Sequence, residues 1–264
     1  QHEILFPLLD DVDSAEHPPS PSMLSGALAD GLDGCDGGRA RIECLNAFKD
    51  RQMFAADMRH IVWPERAFGQ FSRELGDVAE CVVAQALDLC CQDVSDQLGA
   101  DPPGRMAVAG LGKFGGRELG FASDIELVCV YDDSSVDESA GDVSAAEFYH
   151  RVVERLLKTI RSNRAGVFEL DLRLRPHGQA GPLASSLAAF SAYYRHDGPA
   201  WPFERQALVK LRAVAGDRTL GEELESLRDG WIYSDDAFDV AAMRAMRDRQ
   251  VRQLVRAGTL NAKL

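Results

Sequence analysis

Three features of this sequence predict an α+β chain with a small mixed sheet and helices at both ends. Two β-favouring apolar runs, Met106 to Ala109 and Ile125 to Tyr131, are bounded by turn residues and separated by a glycine-rich turn. A later stretch, Val167 to Arg175, alternates between apolar and charged residues from Phe168 onward. Apolar residues on both sides of this block recur at helical spacing. Strands mixed with helices, rather than segregated from them, give one α/β core with helical flanks.

In chain order, Asp10 to Gly38 is rich in Asp, Ser, Pro and Gly, and the sequence predicts a linker or arm that buries little. Gln1 to Leu9 reads as the end of a preceding helix. From Ile42 to Ile61 the apolar positions Ile42, Leu45, Phe48, Phe54, Met58 and Ile61 fit a helix, and Pro64 breaks it. Phe68 to about Leu98 carries a second long amphipathic pattern with no internal proline, ended by Pro102, Pro103 and Gly104. Ser144-x-x-Glu147 is a capping box that opens a helix running to about Ser162 and stopping near Gly166. Val167 to Arg175 is predicted as a strand with Phe168, Leu170, Leu172 and Leu174 on one face and Glu169, Asp171, Arg173 and Arg175 on the other. Helices are predicted over Ser186 to Arg195, Trp201 to Leu211, Asp217 to Ile232 and Asp236 to Arg256, the last ending at Gly258. The domain reading is an arm over 1–40, a helical flank over 41–103 and a catalytic unit over 104–264.

Composition removes several function classes. Forty-two acidic against 29 basic residues give a net charge of -13, which disfavours a nucleic-acid backbone as partner because phosphate binding needs clustered Lys and Arg. No apolar run is long enough for a membrane span, and the opening residues lack the order of a secretory signal, so a cytoplasmic location is expected. Six cysteines without a C-x-x-C pair read as free thiols. The chain begins on Gln1 rather than Met, and the expectation is a fragment of something longer.

Gly110-x-Gly112-x-x-Gly115 matches the dinucleotide fingerprint letter for letter, with Asp132 about twenty residues on. A parallel crossover with its helix needs about a dozen or more residues, and the few between Gly116 and the next strand leave no room for it. The Walker pattern fails as well, since Phe114 follows Lys113. A hairpin-like pair of strands around a glycine turn fits better. On the second strand, Asp124 and Glu126 share a face with Cα atoms roughly 6.6 Å apart, a spacing at which two carboxylates can hold one hard cation and leave positions for phosphate oxygens. Asp171 adds a third acid, and Arg173 and Arg175 add two fork-shaped phosphate ligands. Isolated His60 and His150 read as surface residues and Trp201 and Trp231 as packing residues, while His177 is placed to touch a nucleotide.

Phe114-Gly115-Gly116, Ser123-Asp124-Ile125-Glu126-Leu127 and the later Asp171 resemble the nucleotidyltransferase superfamily that includes polymerase β. More narrowly, the stretches 112–119, 171–176, 181–183 and 204–208 resemble the glutamine synthetase adenylyltransferase/adenylyl-removing family, and the resemblance covers about 45–264. It implies transfer of AMP to a tyrosine of glutamine synthetase, or removal of AMP by phosphorolysis with ADP as product, and ATP or ADP as nucleotide. Carried over by position, Asp124 and Glu126 would hold Mg²⁺, and Asp171 would complete the metal site or help deprotonate the attacking oxygen. Gly115, Gly116 and Ser123 would cradle phosphate, and Arg173 and Arg175 would neutralise it. Two departures stand out: Glu126 where Asp is usual, and Phe203 where Trp is usual, the latter read as a packing change. The resemblance further implies a second catalytic domain elsewhere in such proteins and a PII-type signal protein acting through flanking regions. Direction of reaction stays open, as do two other readings: a catalytically silent module of the same fold, and a small-substrate nucleotidyltransferase.

Overall fold

The structure is a computed structural model and describes residues 17–132, 134, 143–162, 167–233 and 240–256. The expectations for Gln1 to Leu9, for a stop near Gly166 and for an end at Gly258 lie outside the described residues. Among the described residues no helix is long and apolar enough to cross a membrane.

The helical flank is a three-helix layer. Helix α1 (Pro21–Asp33) is capped by Ser20, whose Oγ accepts the Met23 N–H at 3.3 Å, with Pro21 at the first helical position. Within the stretch Asp10 to Gly38, expected as a linker, residues Pro21–Asp33 therefore form a helix, and residues 10–16 lie outside the described residues. Leu24, Leu28 and Leu32, one turn apart, are buried, and the helix packs on α3. The prolines that suggested an arm sit at or before the start of the helix and the Gly34, Gly37 and Gly38 cluster after its end, while Ser25, Gly26 and Gly31 lie within it. Helix α2 (Gly38–Val62) and the 31-residue α3 (Phe68–Leu98) follow, the latter ended by Gly99 in the left-handed region. Glu74 of α3 is 6% exposed and is held by Arg59 of α2 at 2.9 Å and by Arg66.

Strands β1 (Arg105–Gly110) and β2 (Ile125–Asp132) pair antiparallel, Arg105 opposite Asp132 through Gly110 opposite Leu127, as the hairpin reading requires. Between them Gly112–Gly115 forms a single-turn helix, α4. Helix α5 (Ala145–Thr159) begins on Ser144, whose Oγ accepts the Glu147 N–H. Its far end is tied to α2. Asn46 donates to the Thr159 carbonyl and accepts from the Arg161 N–H, both at 2.8 Å, and the buried Lys49 ammonium bonds the Arg161 carbonyl.

The predicted strand over Val167 to Arg175 shrinks to β3 (Leu170–Asp171), parallel to β2 with Glu126 opposite Asp171. The alternation is broken by backbone: Phe168 has φ 54°, and turns begin after Asp171. Two strands lie beyond it where none was expected. β4 (Ala184–Ser186) runs parallel to β2 along the same edge as β3, and β5 (Arg212–Gly216) pairs antiparallel with β1. The sheet is therefore mixed, β3/β4–β2–β1–β5.

Helix α6 (Leu187–Tyr194) follows β4. The predicted Trp201 to Leu211 helix is the shorter α7 (Pro202–Ala207) plus a 3₁₀ turn over Leu208–Lys210. Helix α8 (Arg218–Ile232) is capped by Asp217, which accepts the Leu220 N–H at 2.7 Å, and α9 (Val240–Arg256) ends the described chain.

β2 is buried on both faces, and alternation assigns its side chains to two cores. Ile125, Leu127, Cys129 and Tyr131 join the helical layer of α1, α3 and α5. Val128 and Val130 pack with Phe190, Tyr194, Leu208, Leu211 and Leu224 on the opposite face. Glu126 lies on that second face, at the end of β2 where the apolar cover stops. All six cysteines are free, in line with the sequence reading.

Candidate active site

The strand pair places two carboxylates side by side. Leu111 N–H donates to the Glu126 carbonyl at 2.9 Å, so the chain leaves β1 beside Glu126 and turns at once into α4. Gly112 makes this possible: its φ is +49°, and a Cβ there would fall 1.5 Å from Glu126 Oε2. The Glu126 side chain thus occupies space that only glycine leaves open. Burial pushes the Glu126 carboxyl up, and the neighbouring Asp171 and Asp124 push it further, against the Lys113 backbone N–H that bonds it.

Asp124 is half-buried just before β2, and its Oδ1 is buried with no hydrogen-bond partner among the described residues. A buried carboxylate oxygen left unpaired carries a desolvation cost of about 1–3 kcal/mol, which a donor or cation bound there would offset. Asp171 is in a different state. Burial pushes its carboxyl up, but this is outweighed by the Arg173 side chain and backbone N–H, which hold it below the usual range. Arg173 Nε reaches both Asp171 oxygens at 2.9 Å.

Two clefts meet at Asp124. One, of about 570 Å³, is lined by Gly112, Lys113, Ser123, Glu126, Gln206 and Lys210 among others. The second, of about 480 Å³, contains Glu169, Asp171, Arg173 and Arg175. The site therefore brings Asp124, Glu126 and Ser123 to one cleft, and Asp171 and both arginines to the other.

The remaining predicted residues do other work. Ser123 Oγ accepts the Gly120 N–H at 3.0 Å, closing the loop before β2. Arg175 donates to the carbonyls of Gly181, Leu172 and Gln179, so its fork holds the 172–181 loop together instead of standing open for phosphate. Gly115 is packed so closely that a Cβ would sit 2.0 Å from the Lys210 carbonyl, and Gly116 lies against the Lys210 side chain. Neither glycine lines either cleft; Gly112 lines the first. His177 lies edge-on to Tyr193 at 4.5 Å. His60, expected as an ordinary surface residue, is stacked on Phe71 at 4.6 Å. Phe203 is 42% exposed beside Trp201, so its packing is with an exposed neighbour rather than a core.

Sequence reasoning missed Lys113, Gln206 and Lys210 as cleft residues. The segment 204–208 explains why. Glu204 accepts the Tyr193 hydroxyl and the Trp201 N–H, and Arg205 binds the carbonyls of Tyr194, Arg195, His196 and Gly198, so these charges lock α7 to α6. Gln206 is what that lock presents to the cleft, and nothing in its residue type signals it.

Among the described residues no group of three or more His, Cys, Asp or Glu side chains stands ready around a single metal position. The oxygen-only donors at Asp124 and Glu126, one of them with an unpartnered buried oxygen, nevertheless fit a hard divalent cation. Asp171 is held by Arg173 instead and opens on the second cleft.

Residues 1–227 match the protein family described as glutamate-ammonia ligase adenylyltransferase. The chain belongs to that family. Its relatives include bifunctional glutamine synthetase adenylyltransferase/adenylyl-removing enzymes. That of Chromobacterium violaceum is 35% identical over 260 residues, covering 95% of this chain and 27% of the relative. Those of Hahella chejuensis (33% over 255 residues, 91% and 25%) and Bordetella pertussis (34% over 265 residues, 94% and 26%) are similar. The chain spans about a quarter of the length of these curated relatives.

Proposed function

We propose that this chain is a nucleotidyltransferase unit acting on a tyrosine of glutamine synthetase, adding AMP from ATP or removing it by phosphorolysis to give ADP. The observation that carries the reading is the unpartnered Asp124 oxygen beside Glu126, at the meeting point of two clefts. Asp124 and Glu126 would hold Mg²⁺, with Asp171 as the third oxygen donor. Bound there, the cation would offset charge on the phosphate oxygens. The rest falls to the chain itself. Ser123 and Lys113 line the cleft in which a nucleotide's phosphates would lie, and Lys113 contributes positive charge there. Asp171, held ionised by Arg173, can accept the proton of an attacking tyrosine hydroxyl when AMP is added. In the removal direction it can take a proton from the attacking hydrogen phosphate and pass it to the leaving tyrosine oxygen. Arg173 is 67% exposed on its side chain, so it can swing from Asp171 to an incoming phosphate. Arg175 preserves the loop that carries both. A PII-type signal protein as regulator and the cytoplasm as location belong to the same reading.

The test is incubation with unmodified glutamine synthetase plus ATP and Mg²⁺, and with adenylylated glutamine synthetase plus phosphate and Mg²⁺, read by intact mass. A gain or loss of one AMP that disappears in Asp124→Asn supports the reading. Equal turnover by folded Asp124→Asn refutes the assigned site. The Asp171–Arg173 pair also favours a second reading, a silent nucleotide-binding module. No mass change in either incubation, with nucleotide binding intact, would decide for it.

A further inference from the structure

Helix α3 belongs to the flank in sequence, yet one of its side chains binds the arginine that holds the far end of the 112–116 turn. Arg212, the first residue of β5, donates through Nε to the Gly115 carbonyl at 3.0 Å and through Nη2 to the Phe114 carbonyl at 3.3 Å. These carbonyls end the single turn of α4, and the Phe114 carbonyl also accepts the Arg117 N–H at 3.1 Å. Glu80 of α3 fixes the same guanidinium at 2.7 Å. It also accepts Arg117 at 3.0 and 3.2 Å, and Arg117 leaves α4 in the left-handed region at φ 56° with its other nitrogen on Asp77 at 3.2 Å. The Glu80 and Arg212 side chains are only 22% and 26% exposed, so the bonds are partly shielded from solvent. The opposite end of the same turn, Gly112 and Lys113, lines the cleft and bonds Glu126.

We infer that Glu80 and Arg212 are positioning residues that set the placement of the 112–116 turn against Glu126 and so tune nucleotide binding in the cleft. The inference rests on the nucleotide reading of that cleft. A turn of four helical residues cannot hold its own position, because forming one turn costs more backbone freedom than its bonds return. Packing of Gly115 against the Lys210 carbonyl fixes how deep the turn sits. The guanidinium fork on two successive carbonyls fixes its rotation, and Glu80 fixes the fork. A single anion on α3 thereby connects the helical layer to the cleft wall.

The test is calorimetric binding of ADP with Mg²⁺ to the whole chain. Glu80→Gln is expected to weaken ADP about tenfold, and Arg212→Lys, which keeps charge but loses the fork, by a similar factor. The double variant should be no weaker than Arg212→Lys alone, because both act through one turn. Glu74→Gln, which breaks a buried ion pair in the same layer away from the turn, should lower the melting temperature and leave affinity at the wild-type value. Folded Glu80→Gln with wild-type affinity overturns the inference. If that variant does not fold, Arg212→Lys carries the test with the same two outcomes. If the wild-type chain itself binds no ADP, the nucleotide reading fails, and hydrogen exchange decides about the brace. Amides 112–118 should exchange about tenfold faster in Glu80→Gln while β2 is unchanged, and an unchanged turn refutes it.

Discussion

Gly112→Ala is the sharpest perturbation of the site that leaves every charge in place. Two costs arise at once. A non-glycine residue at φ +49° costs about 1 kcal/mol in the left-handed region. The new Cβ would lie 1.5 Å from Glu126 Oε2 and 2.7 Å from its Cδ, so the carboxylate must leave. That departure breaks its bond to the Lys113 N–H, a charge-assisted contact of about 1.5–3 kcal/mol. The total is roughly 3 kcal/mol, which for a chain of this size lowers the melting temperature by about 6–12 °C. Gly99→Ala is the matched control, with φ +62° at a helix end and nothing within 4 Å of the added Cβ. It should lose only the backbone share, about 2–4 °C. Thermal unfolding by circular dichroism measures both, and ADP calorimetry with Mg²⁺ should show binding lost in Gly112→Ala and retained in Gly99→Ala. Equal destabilisation of the two variants, with equal ADP binding, would refute the claim that Gly112 exists to make room for Glu126.

Three further outcomes follow from the same geometry. Asp124→Asn should raise the melting temperature in the absence of divalent cations, because an unpaired buried carboxylate oxygen is replaced by a neutral amide; a fall would show that Asp124 has a stabilising partner. Burial raises the Asp57 carboxyl to about 6 from 3.8, so the folded chain binds the extra proton between those values and stability falls as pH rises through that window. Asp57→Asn should flatten that fall and add about 1–2 kcal/mol at pH 7 after allowing for solvent screening, checked by urea unfolding at pH 4 and 7. Leu28→Ala, at a fully buried position of α1, should cost about 2–5 kcal/mol; a loss below about 0.5 kcal/mol would return residues 21–33 to the status of an unattached segment.

The elements with strong periodicity were readable from residues alone: the two long flank helices, the capped α5, and the β1–β2 pair that brings Asp124 and Glu126 together. What escaped did so for local reasons. Helix α1 hides three leucines at helical spacing among Pro, Ser and Asp residues that resemble a linker by composition. β5 reads Arg-Ala-Val-Ala-Gly, too short and too rich in alanine to announce a strand, and it forms because β1 offers it an edge. The 167–175 alternation is genuine in sequence, but Phe168 turns left-handed and Arg175 spends its fork on loop carbonyls, which no pattern of apolar and charged residues reveals. Within the site, residue types named Asp124, Glu126 and Asp171, whereas the placement of Glu126 and Asp171 in two different clefts has no signal in residue type.

The length of β3 has a consequence for how the site is built. Glu126 belongs to an eight-residue strand covered on both faces, while Asp171 belongs to a two-residue strand at the sheet margin. Few ladder bonds anchor the third acid, and its placement relies on Leu172 and Phe168 below it and on the Arg175 clasp behind it. The carboxylates thus differ in the free energy needed to dislodge them. Local opening of this one short margin would displace Asp171 while Glu126 stays fixed in β2, so the proposed grouping of the three acids could assemble separately from folding of the sheet.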